Sequence, residues 1–118
     1  MTSNYGNPDL ILELNSRMDN LIQEVHILDE AGTEYAMRDT EFRSILAQEI
    51  LKLRANGTAA NLCEKVAFAD ENVRNAKYNL NIAESDVLVA KEKINAEKLK
   101  IRLLESQINR EWNLSGNN

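Results

Sequence analysis

From Leu62 onward, apolar residues recur at alternating steps of four and three: Leu62, Val66, Ala69, Val73, Ala76, Leu80, Ala83, Val87, Ala90 and Ile94, then Ile101, Leu104 and Ile108. Only a helix brings residues at this spacing onto one side, so the run predicts a seam of coiled-coil type. It predicts a single helix over residues 58–112, about fifty residues and roughly 75 Å long, with Glu97 the one polar seam position. Half of the seam is small, at Ala69, Ala76, Ala83 and Ala90. Small residues let a partner helix approach near the lower end of the usual ~8–10 Å spacing.

A second stripe, Phe68, Ile82, Val89, Ala96 and Leu103, repeats by sevens on another side of the same helix, interrupted by Asn75. A helix in a simple pair has no use for a second stripe, so two neighbours are expected, as in a bundle. That implies either folding back of residues 8–55, along their own long helix or a twin's, together with self-association, or a partner protein, and a homodimer is the favoured expectation.

The first half supplies the fold-back. Asn7-Pro8-Asp9 reads as a helix start, because Asn accepts bonds from free amides, Pro suits the first helical position and Asp suits the positive dipole end. Ile11, Leu14, Met18, Leu21, Val25 and Leu28 form the expected stripe of a helix over 8–31. Gly32 then suggests a bend, with Thr33 opening a second helix over 33–55 that carries Tyr35, Phe42, Ile45, Leu46, Ile50 and Leu53. Asn56-Gly57-Thr58 is the strongest punctuation, where Gly57 ends a helix in a left-handed residue and Thr58 caps the next. Residues 1–7 and 113–118 read as flexible tails. The expected class is therefore all-α, a long helical hairpin or coiled-coil-like bundle, with a kink or helix-turn-helix-like corner near residues 58–70. One proline and four glycines among 118 residues are too few for a many-stranded alternative.

The net charge of −5 comes entirely from residues 1–60, with ten acids against five bases, since residues 61–118 balance at nine each. A basic footprint over the whole chain, as non-specific DNA binding requires, is absent. One local patch is basic: Lys91, Lys93, Lys98, Lys100 and Arg102 face only Glu92 and Glu97 over that stretch. With Trp112 it makes a candidate partner surface, against the plainer reading of a solvated helix face.

Catalytic chemistry finds little to work with. His26 and Cys63 are the only residues of their kind, so neither a zinc set of nitrogen and sulfur ligands nor an internal disulfide can be assembled in one chain. Carboxylates fall beside Lys and Arg, and no glycine-rich phosphate loop or nucleophile elbow occurs. No enzyme, cofactor or metal is expected. No apolar run reaches the ~18 residues of a membrane span, and the first residues lack the marks of a signal peptide, so a cytoplasmic protein is expected.

Residues 58–76 also resemble the helix-turn-helix pattern, with Leu62, Val66, Phe68, Val73 and Ala76 as packing positions and Asp70 capping a second helix. Asn72, Arg74, Asn75 and Tyr78 would then face DNA. Ala67 stands where such a motif usually has Gly, and the three bases of residues 58–78 are matched by three acids, so nucleic-acid binding is not the favoured reading.

Glu49-Ile50-Leu51-Lys52-Leu53-Arg54-Ala55-Asn56-Gly57, together with the closing Leu99-Lys100-Ile101-Arg102-Leu103-Leu104-Glu105-Ser106-Gln107-Ile108-Asn109-Arg110-Glu111-Trp112, resembles a family of small helical proteins encoded by phages and prophages of Gram-positive bacteria. The likeness runs roughly from Glu34 to Trp112. Relatives often carry Gly near Ala69 and a Gly-Val-Pro-like segment starting at the position of Gly57, of which this sequence keeps only Gly57. Genes of this family typically lie near those for recombination and single-strand binding, so the resemblance implies a bacterial host cytoplasm and partners that process DNA. The expected function is a non-catalytic interaction module acting on recombination or replication machinery. An alternative is an acidic inhibitor of a host nuclease such as a CRISPR effector, its acids imitating phosphate. Helix-turn-helix DNA binding is a second alternative.

Overall fold

The computed structural model describes residues 8–116, with side chains described through 114. The chain is all-α: α1 spans Pro8–Ala55, α2 spans Cys63–Ala67 and α3 spans Glu71–Gly116. The two long helices pack against each other as a hairpin. The expected tail at 1–7, with the Asn7 cap, lies outside the described residues. The expected tail at 113–118 is corrected in part, because α3 continues to Gly116.

The expected bend at Gly32 is absent: α1 is one helix through that point. A mid-helix glycine costs about 1 kcal/mol relative to alanine but removes no hydrogen bond, so a helix held by packing on both sides passes through it. Thr33 is an interior residue, its hydroxyl donating to the Asp29 carbonyl one turn back at 3.1 Å.

Gly57 ends α1 as expected, with φ of 92°. Thr58 N–H donates to the Leu53 carbonyl at 3.0 Å and Gly57 N–H to the Arg54 carbonyl at 3.1 Å, the double closure of a Schellman motif. Thr58 does not cap the next helix, which starts five residues later at Cys63 behind Leu62, a residue with no side-chain cap bond.

The single helix expected over 58–112 is divided. After α2, Ala69 and Asp70 N–H groups donate three residues back, to Val66 and Ala67, each at 3.0 Å, which tightens and ends the turn. Asp70 then accepts from the Val73 N–H at 3.1 Å and caps α3. A short acidic side chain gains more at a cap than inside a helix, so the corner forms although the apolar spacing runs on through it.

The hairpin divides into two compact units. In the first, residues 8–28 and 89–116, the α1 seam is Leu10, Leu14, Arg17, Leu21, Glu24 and Leu28, all buried or half-buried. Ile11, Met18 and Val25 of the expected stripe are exposed instead. The two stripes share Leu14, Leu21 and Leu28; the structure completes them with charged positions, and Arg17 reaches Glu97 of α3 at 3.6 Å. In the second unit, Asp29–Leu88, Phe42, Val73, Ala76 and Leu80 form the core, with Tyr35, Ile45, Leu46 and Phe68 against it. The Phe42 and Phe68 rings lie 6.0 Å apart, and the Lys77 ammonium sits 5.1 Å over the Phe42 ring.

Candidate interaction surfaces

Of the expected helix interface, Val73, Ala76, Leu80, Ala83, Ala90, Ile94 and Leu104 are buried, and Val87, Ile101 and Ile108 are half-buried. Leu62, Val66 and Ala69 are corrections: all three are exposed, Leu62 by 48%, and Cys63 and Ala67 are buried in their place. The corner at residues 68–70 is the reason. It shifts the helical phase, so the buried row before it is displaced from the buried row after it. The Cys63 thiol lies 3.4 Å from the Ala59 carbonyl in the segment leading into α2, and His26 is on the exposed side of α1.

In the first unit the basic residues expected to form one patch fall on two flanks of α3, Lys91, Lys98 and Arg102 on one and Lys93 and Lys100 on the other. Lys91, Lys93, Lys98, Lys100 and Arg102 are all exposed, and none is held by an ion pair among the described residues. Trp112 is 40% exposed. Beside the lysines run Val89, Ala96 and Leu103 of the second stripe, also exposed, Leu103 by 62%. Glu92 and Leu99 fall between them, so that 89, 92, 96, 99 and 103 repeat the three-four spacing of a second seam. Leu99, exposed by 51%, does not belong to the steps of seven that join Ile82, Val89, Ala96 and Leu103, and the three-four spacing is the signal that includes it.

The second unit contains an open groove of about 470 Å³ between α1 and the start of α3. Its floor is Ile45 and Ala76, and its walls carry Glu41, Gln48, Glu49 and Lys52 from α1 and Asp70, Asn72, Asn75 and Asn79 from the other side. Two of the four candidate DNA contacts, Asn72 and Asn75, line it; Arg74 and Tyr78 do not, although both are exposed. Three carboxylates against one ammonium make the groove repel phosphate. Glu41 of the α1 wall accepts from Arg38 at 3.2 Å, and Arg38 also donates to Glu34 at 2.7 Å. The hydrogen bond to Glu34 and the charge of that carboxylate hold the guanidinium pKa above its ordinary value.

The packing that a helix-turn-helix motif requires is not made by these residues. Val66 and Leu62 are exposed, and Val73 and Ala76 pack with Phe42 of α1. Among the described residues no group of His, Cys, Asp and Glu is arranged to hold a metal, and no helix is long and apolar enough to cross a membrane. Comparison with family models, with curated proteins and with solved structures finds no match to this chain.

Proposed function

We propose that this chain is a non-catalytic protein-interaction module whose docking face is the outer side of α3 in the first unit. The observation that carries the reading is the second seam: Val89, Leu99 and Leu103 stand in solvent at coiled-coil spacing, bordered by Lys93 and Lys100, which have no ion-pair partner among the described residues. Exposed apolar rows rimmed by charge are the usual mark of an interface. The lysines favour an acidic partner surface, since opposite charges steer encounter and fix register. The resemblance to phage and prophage proteins gives the biological setting of the proposal, in which the partner belongs to the recombination or replication machinery of a bacterial cell.

The test is affinity capture with the full chain as bait, alongside Leu99→Glu/Leu103→Glu. The proposal expects a DNA-processing protein recovered in stoichiometric amount by the parent and lost with the variant. Recovery of the same proteins by both would remove this face from the account. A parent that sediments as a single chain and captures nothing would remove the interaction role altogether.

A further inference from the structure

Toward its start, α3 extends the exposed row of the docking face. Tyr78, Ile82 and Ser85 precede Val89, Glu92, Ala96, Leu99 and Leu103 at unbroken steps of four and three, and all of them are exposed. The row belongs to α3 alone, one helix from Glu71 to Gly116, and is roughly 38 Å long at ~1.5 Å per residue. Asp86, Lys93 and Lys100 run along one edge of it, and Leu88, Asn95 and Arg102 along the other. Asp86 and Lys93 are exposed, and neither takes part in an ion pair among the described residues.

The row is symmetric about its middle, which falls between Ala90 and Lys91. Tyr78 and Leu103 lie equally far from that point, as do Ile82 and Leu99, Ser85 and Ala96, and Val89 and Glu92. A second α3 laid antiparallel about this point therefore sets large residues against large ones toward the ends and small Ser85 against small Ala96. The edges agree with the row. In that register Asp86 of each copy meets Lys93 of the other, so one attractive contact is made twice, while Lys100 meets Asn79 and Arg102 meets Asn81.

Other arrangements lose this match. Sliding the copies by one heptad sets Lys93 against its own counterpart in one direction and Asp86 against its own counterpart in the other. A parallel pair places Glu92 directly opposite Glu92 and moves Asp86 and Lys93 beside Asn81 and Leu88. Glu92 costs affinity in the antiparallel pair too, since each copy's carboxylate faces Val89 of the other near the middle of the row.

We propose that a second copy of this chain covers the outer row of α3, as an antiparallel α3 pair centred between Ala90 and Lys91, with Asp86 and Lys93 exchanged across it. The inference rests on the reading of this row as a docking face and names its occupant when no foreign partner is bound. The weakness that Glu92 introduces leaves the pair open to exchange with such a partner.

The experiment is sedimentation velocity of the full chain from about 1 to 200 µM, for the parent and for charge-reversed variants. Expected is a reversible equilibrium between one chain and two, with a dissociation constant on the order of 10 µM. Asp86→Lys and Lys93→Asp are each expected to weaken it about tenfold or more, because both exchanged contacts become like-charged. Asp86→Lys/Lys93→Asp in one chain restores association, and so does an equimolar mixture of the two single variants. Leu99→Glu/Leu103→Glu remains a single chain. All these positions are exposed, and circular-dichroism melts that match the parent show that the fold is kept. A parent that is still a single chain at about 200 µM overturns the proposal, as does a dimer that Leu99→Glu/Leu103→Glu leaves intact. A dimer indifferent to the single reversals, or not restored by the double one, overturns the antiparallel register and the proposal with it. A single-chain parent that captures a foreign protein through Leu99 and Leu103 overturns this inference while the docking face stands; a dimer of the expected register that captures nothing else supports it while the foreign partner falls.

Discussion

The carboxylate of Glu97 lies 3.6 Å from the guanidinium of Arg17, joining α3 to α1 through the seam of the first unit. Glu97 is 5% exposed and its Oε2 accepts no hydrogen bond, so the carboxylate's compensation is this ion pair. The Arg17 side chain remains 31% exposed. Removing one partner of a buried pair leaves an uncompensated charge, at a cost of up to about 3–5 kcal/mol, whereas replacing both by apolar groups is often neutral or stabilising. Arg17→Met is expected to lose about 2–3 kcal/mol, less than the full range because Arg17 already reaches water, and Arg17→Met/Glu97→Leu to regain it. Chemical denaturation of the three proteins checks this; a double variant as unstable as the single one contradicts it.

Two alanines of the seam, Ala76 and Ala83, lie in the second unit. Ala83 is buried and does not line the groove, so Ala83→Leu forces bulk into filled space and is expected to cost about 1–3 kcal/mol, whereas Ala76→Leu, which can extend into the groove, is expected to cost less. A thermal melt of Ala83→Leu that matches the parent would show that this residue does not lie in a packed interface.

Two glycines are expected to respond in opposite directions. A methyl group added at Gly32 meets nothing within 4 Å, and the helix is continuous there, so Gly32→Ala is expected to stabilise by about 0.5–1 kcal/mol. Gly57 holds a φ of 92°, so Gly57→Ala is expected to destabilise by about 1 kcal/mol although space is open around it. The sign of the change in melting temperature decides each case.

How the sequence could disclose some of this and not the rest follows from particular residues. The α3 seam from Val73 to Ile108 was legible because apolar spacing and burial agree along one uninterrupted helix. The α1 seam was half legible: spacing alone cannot choose between Ile11, Met18 and Val25 and the row through Leu10, Arg17 and Glu24 when both share the same leucines. The choice depends on what faces each position, and Glu97 lies about eighty residues away in sequence from Arg17. Asp70 was legible as a cap within the helix-turn-helix pattern, but the heptad spacing across residues 62–73 hid the corner it makes. The groove was not legible, because Gln48 and Glu49 come to line one groove with Asn75 and Asn79 only through the fold.

The Asp70 cap makes its own prediction. Loss of its 3.1 Å bond to the Val73 N–H in Asp70→Ala is expected to cost about 1 kcal/mol and to raise amide exchange at the start of α3, while Asp70→Asn retains most of the stability. Equal exchange in the alanine variant and the parent would deny the cap an energetic role.

The most direct test of the docking role is site-specific photo-crosslinking in cells that express the full chain. A benzophenone side chain at Leu103, on the outer seam of α3, is compared with one at Glu105, exposed on another side of the same helix. The account predicts a discrete higher-mass adduct from position 103, to a partner protein or to a second copy, and none from 105. Absence of an adduct at 103, or the same products from both positions, would contradict it.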